Sequence, residues 1–362
     1  MSPEIDLTIV IPCFNEAAGI ERTVLRVDSY LRQNHPELRS EILVVDDGST
    51  DETGEILRRL EEDLGGLTAH SLPYNIGRGA ALKVGFESSH GSIVIPLDAD
   101  LSYEVEHITE IIAAFNGPGR PDAVVVSPYM KGGRVEGVPF LRLLISRAAN
   151  WILAGFFPGH LSTVTCVVRG YRGEMVRSLP ILENGKEMHL EILRKFAIAG
   201  ARIVEIPGRL IWKNSGKGRR KISLNLIGSG SRHLMYGILS RPTRLFKLFT
   251  LVTLLLGVYE TAVLAANFVD FYQGVAGDPV NIRIWKSLAA TLQKSPHSVV
   301  IAVVGLLLGF QSAFFLILLK VLRMQHEETL RHQLALFGNM PRRALTTAGD
   351  ELDVRFDRSI RS

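Results

Sequence analysis

Short apolar runs alternate with segments of helical period through the N-terminal part of the chain. Leu7–Pro12 reads as a buried strand, and Glu16–Arg32 carries Ile20, Val24, Leu25 and Tyr30 at helical spacing. Glu41–Val45 is a second strand, followed by a helix over Asp51–Asp63 with Ser49 or Asp51 as its cap. Asn75–Gly85 opens a loop and helix. Ile93–Leu97 is a strand in which Pro96 must face an unpaired side. Val105–Phe115 is helical and Ala123–Ser127 is a fourth strand. This alternation predicts an α/β domain, a mainly parallel, Rossmann-like sheet covered on both faces. In such sheets ligands bind beyond the carboxyl ends of the strands.

The pattern then changes. Phe140–Phe157 is apolar but broken by Arg142, Ser146, Arg147 and Asn150, as in an amphipathic helix near a bilayer surface. Val164–Tyr171 and Ile203–Trp212 read as strands around a helix over Glu187–Ala199. Gly216–Lys221 is a basic link, and Ile222–Leu239 has the mixed character of an interfacial helix. Four cations within five residues, Lys217 to Lys221, would attract phosphate or anionic lipid.

Two runs, about Leu248–Phe268 and Val299–Leu322, reach the roughly 20 residues needed to cross a bilayer. Arg241, Arg244 and Lys247 precede the first; Lys320, Arg323 and Arg331 follow the second. The positive-inside rule puts both chain ends in the cytoplasm and residues 269–298 outside, although Arg283, Lys286 and Lys294 lie there too. Glu260 and Gln311 fall inside the runs and are expected to meet, within the hairpin or between subunits. The expected organisation is a domain over 1–221, an interfacial helix over 222–245, a hairpin over 246–322 and a charged tail over 323–362.

The 362 residues, 46% apolar, allow a domain of about 200 residues and a further element. The net charge of +4 is modest, and its clustering near the apolar runs points to a membrane, not to nucleic acid. Cys13 and Cys166 form no CxxC pair, so neither a disulfide framework nor a zinc site is expected, in keeping with a reducing cytosolic face. Met1–Asp6 is polar and acidic, so no secretory leader is expected.

Two acidic strand ends are the candidate chemistry. Ile93–Leu97 runs into Asp98-Ala99-Asp100, and Leu43–Val45 into Asp46-Asp47. In extended chain, residues i and i+2 point the same way. Asp98 and Asp100 can therefore reach one divalent ion held against a diphosphate.

Four segments carry a resemblance: Ile11-Pro12-Cys13-Phe14-Asn15-Glu16, Asp46-Asp47-Gly48-Ser49, Asn75-Ile76-Gly77-Arg78-Gly79-Ala80 and Asp98-Ala99-Asp100-Leu101. In this order and spacing the chain resembles family 2 glycosyltransferases. Within them it is similar to the dolichol-phosphate mannose synthase and polyprenyl-phosphate glycosyltransferase group. The resemblance implies a GT-A nucleotide-sugar-binding domain followed by interfacial helices and a two-helix transmembrane hairpin. It implies GDP-mannose or UDP-glucose as donor, polyprenyl or dolichyl phosphate as acceptor, a lipid bilayer as partner and homo-oligomers through the spans.

By the same resemblance Pro12, Phe14, Glu16 and Val44 line the base and ribose pocket, and Asp46 and Asp47 accept hydrogen bonds from base or ribose. Asp98 faces ribose and ion with Ala99 beside it. Asp100 binds the ion, Mg2+ or Mn2+, with Ser102 in place of a family glutamine. Arg142 and Ser146 match residues that touch the lipid phosphate. Lys213 and Arg219 match cations that neutralise the donor diphosphate. Pro128 replaces a family arginine, and Thr163–Val167 departs from an Asp-x-Thr-Ser-Gly segment. Glu191 fits a recurrent acidic position, or pairs with Lys195 as a surface glutamate. A lipid phosphate is already largely ionised, its second pKa being about 6, so no strong general base is expected and attack inverts the anomeric carbon. The rival readings are transfer to another membrane lipid and a catalytically inactive nucleotide-sugar-binding scaffold.

Overall fold

The computed structural model describes residues 5–140, 143–144, 146–148, 150, 161–164, 166–185, 187–211 and 243–336. These fall into two compact units, divided at Ile238 and again at Glu328.

The first unit is built on a seven-stranded sheet. Its strands are β1 (Leu7–Cys13), β2 (Ser40–Asp46), β3 (Leu67–Ser71), β4 (Ile93–Pro96), β5 (Ala123–Ser127), β7 (Arg169–Arg172) and β8 (Ile203–Pro207). They lie in the order β3-β2-β1-β4-β7-β5-β8. β7 runs antiparallel to β4 and β5; the other neighbours are parallel. Helices α1 (Ile20–Asn34), α2 (Thr53–Asp63) and α4 (His107–Asn116) pack on Leu7, Ile9 and Ile11 on one face. Helices α3 (Arg78–Glu87), α5 (Gly173–Arg177) and α6 (Met188–Ile198) share the other face with Val10 and Val94. Both faces are covered, which is why the central strands read as continuous apolar runs. Strand order reverses between β1 and β4, and the acidic ends of β2 and β4 flank that switch point.

Among the described residues the expected elements form, with three differences. β3 has only Leu67 fully buried and sits at the sheet edge, so it carries no strong apolar signal. Val164–Tyr171 is a strand only from Arg169. The Arg169 guanidinium donates to the carbonyls of Val164 (2.7 Å), Cys166 (2.8 Å) and His189 (2.7 Å), serving backbone that a ladder would otherwise satisfy. Ile203–Ile211 breaks at Gly208 into β8 and β9 (Arg209–Ile211), and β9 pairs with β6 (Arg134–Glu136). A Cβ at Gly208 would stand 2.4 Å from Val126 Cγ1. As expected, the Pro96 amide faces an unpaired side, toward β7 beyond the last paired residues, Val94 and Tyr171.

The second unit holds α7 (Thr243–Gly274), α8 (Val280–Lys294) and, as far as Glu328, α9 (Pro296–Leu336). Phe246–Gly274 and Pro296–Leu330, with mean hydropathies of 1.9 and 2.4, are long and apolar enough to cross a membrane. α7 and α9 pack closely at Gly257, where a Cβ would meet Leu306 N at 2.7 Å, and Thr250 Oγ1 bonds Ser312 Oγ at 2.8 Å. These pairs set an antiparallel register that places Glu260 level with Ala302 and Gln311 level with Leu251. Within one chain Glu260 and Gln311 therefore do not meet, because the helices pack by small residues and not by the distance of each polar group from its span end. The segment 269–298, expected as an external loop, is largely α8, and the expected tail begins as α9. The interfacial helix expected over 222–245 lies mostly outside the described residues.

Candidate functional site

Three loops at the carboxyl edge of the sheet are stapled to one another. The loop after β1 turns at Asn15, whose φ of 53° is left-handed. Asn15 N donates to Ser49 Oγ (2.8 Å), and Thr50 N donates to Asn15 Oδ1 (2.9 Å). Glu16 N donates to Thr53 Oγ1 at 2.9 Å. Gly48, at φ 71°, lets the third loop approach so closely that a Cβ would stand 2.4 Å from the Tyr74 carbonyl carbon. Between these loops lies a cavity of about 520 Å³, lined in part by Phe14, Asp46, Ser49, Arg58, Tyr74 and Asn75.

Phe14 is 40% exposed and offers its ring to that cavity, with Asp46 at the floor, where its Oδ1 accepts from Ser49 N at 3.0 Å. Pro12 is buried in β1 and Glu16 lies at the loop's exit. Burial, reinforced by the Asp46 and Glu16 carboxylates, pushes the Cys13 thiol far up, so it stays protonated and inert. Cys13 and Cys166 are both buried and free.

Two expected pocket residues are placed elsewhere. Val44 is fully buried mid-strand in the core, because its position in β2 points it at the α1–α2 layer. Asp47 is 3% exposed, and backbone amides fill its carboxylate: Ile76 N (2.9 Å) to Oδ1, and Gly77 N to Oδ2 (2.9 Å) and Oδ1 (3.2 Å). It fixes the start of α3. Arg58 and Tyr74 are cavity residues that the motif reading missed. Tyr74 is 67% exposed and stands one residue before the Asn75–Ala80 segment, outside the residues that carry the resemblance.

Asp98 and Asp100 sit just beyond β4. Arg78, in the first turn of α3, pairs with Asp98 Oδ1. Asp100 Oδ1 accepts from Ser102 N (2.9 Å) and Ser102 Oγ (2.6 Å). The Ala99 carbonyl turns back to accept from Thr23 Oγ1 at 2.6 Å. Among the described residues no group of three or more His, Cys, Asp or Glu gathers to hold a metal. The donor set is thus two carboxylates with a hydroxyl beside one. Magnesium is commonly held by one or two carboxylates, its remaining ligands coming from substrate phosphates and water. These residues fit an ion that is shared with a diphosphate.

On the other flank, Ser146 Oγ and Tyr129 OH are 2.8 Å apart, and Arg147 lies over the Tyr129 ring at 6.0 Å. Asn150 Nδ2 donates to Ser146 O (3.0 Å), while its Oδ1 accepts from Thr163 Oγ1 (3.2 Å) and Val164 N (3.1 Å). Glu205 accepts from Ser162 N (2.8 Å) and Thr163 N (3.1 Å) and so fixes that turn. Arg142, Lys213 and Arg219 lie outside the described residues. Glu191 does pair with Lys195, at 2.6 Å, but in the interior: it also accepts from Leu182 N (3.0 Å) and Glu183 N (2.9 Å). The loop it holds brings the Asn184 carbonyl to Gly79 N at 2.7 Å, at the head of α3.

A sequence profile described as Glycosyl transferase family 2 matches residues 8–178. Residues 8–178 belong to glycosyl transferase family 2. Both acidic strand ends, the cavity and Ser146 lie inside this family 2 domain; Glu191 and Glu205 lie beyond it. Six of the seven strands of the GT-A-like sheet fall in this domain, and β8 completes the expected architecture from beyond it. The chain is 28% identical over 270 residues to Glycosyltransferase AglD of Haloferax volcanii, covering 74% of this chain and 42% of that one. It is 30% identical over 204 residues to a Dolichol-phosphate mannosyltransferase of Pyrococcus furiosus, covering 56% of this chain and 55% of that one. A Polyprenol monophosphomannose synthase of Mycolicibacterium smegmatis is 28% identical over 206 residues, covering 55% of this chain and 75% of that one. The chain thus spans about half the length of the first two relatives.

Proposed function

We propose that this protein transfers a hexose from a nucleoside-diphosphate sugar to a polyprenyl phosphate at the cytoplasmic face of a membrane, with inversion at the anomeric carbon. Mannose, from GDP-mannose, is favoured over glucose from UDP-glucose, in line with the mannosyl names of two relatives. One observation carries the reading: the cavity at the ends of β1, β2 and β3 lies on the same carboxyl edge of the sheet as Asp98 and Asp100, which follow β4 across the switch point. A base held there directs its diphosphate toward the carboxylate pair.

In this reading the Phe14 ring packs on the base and Asp46 accepts from base or ribose. Asp98, Asp100 and Ser102 hold Mg2+ or Mn2+, which, when bound, supplies Lewis-acid stabilisation of the departing diphosphate. Lys213 and Arg219 add cationic charge to that leaving group. Ser146, oriented by Tyr129 and Asn150, and Arg142 aim the acceptor phosphate at the anomeric carbon. The phosphate is its own nucleophile, so the site needs orientation more than a base. Because the acceptor's phosphate sits at headgroup level, the two apolar helices keep the domain where its substrate is, with both chain ends cytoplasmic.

Membranes carrying the protein, given polyprenyl phosphate with labelled GDP-mannose and UDP-glucose in parallel, test this. Label should move into an organic-extractable, mild-acid-labile lipid, and EDTA or Asp100→Ala should abolish the transfer. Full activity with alanine at Asp100 sinks the reading. A second reading, transfer to a lipid alcohol, is favoured by Pro128 standing where the resembling family has an arginine. Diacylglycerol offered beside polyprenyl phosphate separates the two.

A further inference from the structure

Helix α8 is built inside out. The residues it buries are small and polar: Ser287 is 1% and Thr291 3% exposed, and α8 packs on α7. Thr291 Oγ1 donates to Ser287 O at 2.8 Å, so that hydroxyl is satisfied within the helix. One outward arc is large and apolar. Ile284, Trp285, Leu288 and Leu292 are all exposed, Trp285 by 70%. At about 100° per residue these four fall within a single arc of roughly 100°. An aqueous loop would have the opposite arrangement.

The polar edge of α8 is spent on α7 and on the turn that joins the two helices. Arg283 Nε donates to Tyr272 O (2.9 Å), and its guanidinium lies 4.0 Å from the Tyr272 ring centroid. Lys294 Nζ donates to Asn267 Oδ1 (2.9 Å) and lies 5.3 Å from the Phe271 ring centroid. Lys286 pairs with Asp278 at 2.7 Å. These ties clamp the helix with its apolar arc outward.

Its depth is also set. Asn267 Nδ2 donates to Ser295 Oγ at 3.2 Å, so the end of α8 is level with Asn267. Asn267 is 21 residues beyond Phe246, about 31 Å of helix, which is one hydrocarbon thickness. The apolar arc of α8 therefore lies where the spans leave the bilayer. The 15 residues of α8 are too few to cross, at about 22 Å.

We infer that α8 lies in the bilayer interface opposite the Phe246 end, with Ile284, Trp285, Leu288 and Leu292 seated at the boundary of headgroups and acyl chains and Arg283, Lys286 and Lys294 at headgroup level. The inference rests on the reading that α7 and α9 span. It makes the hairpin a three-point anchor, the third point resisting tilt of the spans.

The full chain with Trp151→Phe and Trp212→Phe retains Trp285 as its only tryptophan. In phosphatidylcholine vesicles, Trp285 emission should be blue-shifted and quenched most by lipids brominated near the headgroup end of the chains. Aqueous iodide should leave it nearly untouched. Strong iodide quenching without bromolipid quenching overturns the inference in favour of water. Protection from both overturns it in favour of a protein cover, such as a second copy. A companion carrying Trp285→Phe and Leu255→Trp in the same background reports on the span. Quenching of that tryptophan by mid-chain bromines, with Trp285 in water, would sink only α8's placement; no quenching there would sink the spanning reading itself. Should the double phenylalanine chain fail to fold, a spin label at Leu288→Cys in the otherwise native chain answers the same question. Oxygen should relax it more than a water-soluble nickel chelate, and the reverse order refutes the placement.

Discussion

Arg78, in the first turn of α3, sets its guanidinium on Asp98, the first carboxylate beyond β4. The Arg78 Nε is buried with no hydrogen-bond partner among the described residues, so the side chain is committed to this one carboxylate. A cation already occupies part of the proposed ion site. Hydrogen bonds to charged groups contribute about 1.5–3 kcal/mol, and about 1.4 kcal/mol is a factor of ten. Arg78→Gln should tighten Mn2+ binding to the protein alone by roughly tenfold, read from the free-Mn2+ electron paramagnetic resonance signal without nucleotide-sugar. An unchanged affinity would show that the pair does not stand in the ion's way.

Asp47 joins the end of β2 to the head of α3 through the amides of Ile76 and Gly77. Asp47→Ala leaves both amides buried without an acceptor. It should cost about 3 kcal/mol, lowering the melting temperature by roughly 6–12 °C, and should raise KM for the nucleotide-sugar more than it lowers kcat. Asp47→Asn, which keeps an acceptor, should recover part of both. A KM that stays at the native value in the alanine variant would remove Asp47 from the site's scaffold.

Arg169 is fully buried and serves three carbonyls. Methionine there fills similar space but leaves Val164, Cys166 and His189 without that donor. Arg169→Met should lower stability by at least about 3 kcal/mol, measured as the urea midpoint at constant m-value. A midpoint equal to the native one would mean that the 164–169 turn is held by other contacts.

Burial pushes the Glu205 carboxyl above the ordinary carboxylate range, against the lowering effect of its donors Ser162 and Thr163. A folded-state value above the unfolded one means that the folded protein holds the extra proton between the two. Glu205's contribution is therefore complete below the ordinary carboxylate range and declines as pH rises through the raised value. The melting temperature of Glu205→Gln minus that of the native protein should increase from pH 4 toward pH 7. A difference that is flat or falls with pH would contradict the assignment.

Much of the domain is legible in the chain because burial on both sheet faces leaves plain apolar runs, and turn residues separate them. β1, β2, β4 and β5 are of this kind. β3 is not, since an edge strand with one buried residue has little apolar signal. The reversal of β7 was hidden for another reason: strand direction depends on which neighbours accept it, and Tyr171 reads the same in either sense. At the site, Phe14, Asp98 and Asp100 were visible as residues at strand ends. That Val44 lies in the core and Asp47 holds the amides of Ile76 and Gly77 was not legible, because a motif gives adjacency along the chain, not the direction of a side chain. Glu191 was weighed as a surface residue, since Lys195 at i+4 looks alike whether solvent or protein surrounds it.

By itself the sequence determined the alternating sheet, the carboxylates at its carboxyl edge and two helices of membrane length, because periodicity and local chemistry are properties of neighbouring residues. Only the tertiary structure decided that Asp47 anchors a loop, that Arg78 meets Asp98, that Gly257 and Gly305 set the register of α7 and α9, and that α8 turns its apolar side outward. Each of these depends on contacts between residues far apart in the chain, whose geometry is fixed when the layers pack and the backbone finds its hydrogen-bond partners.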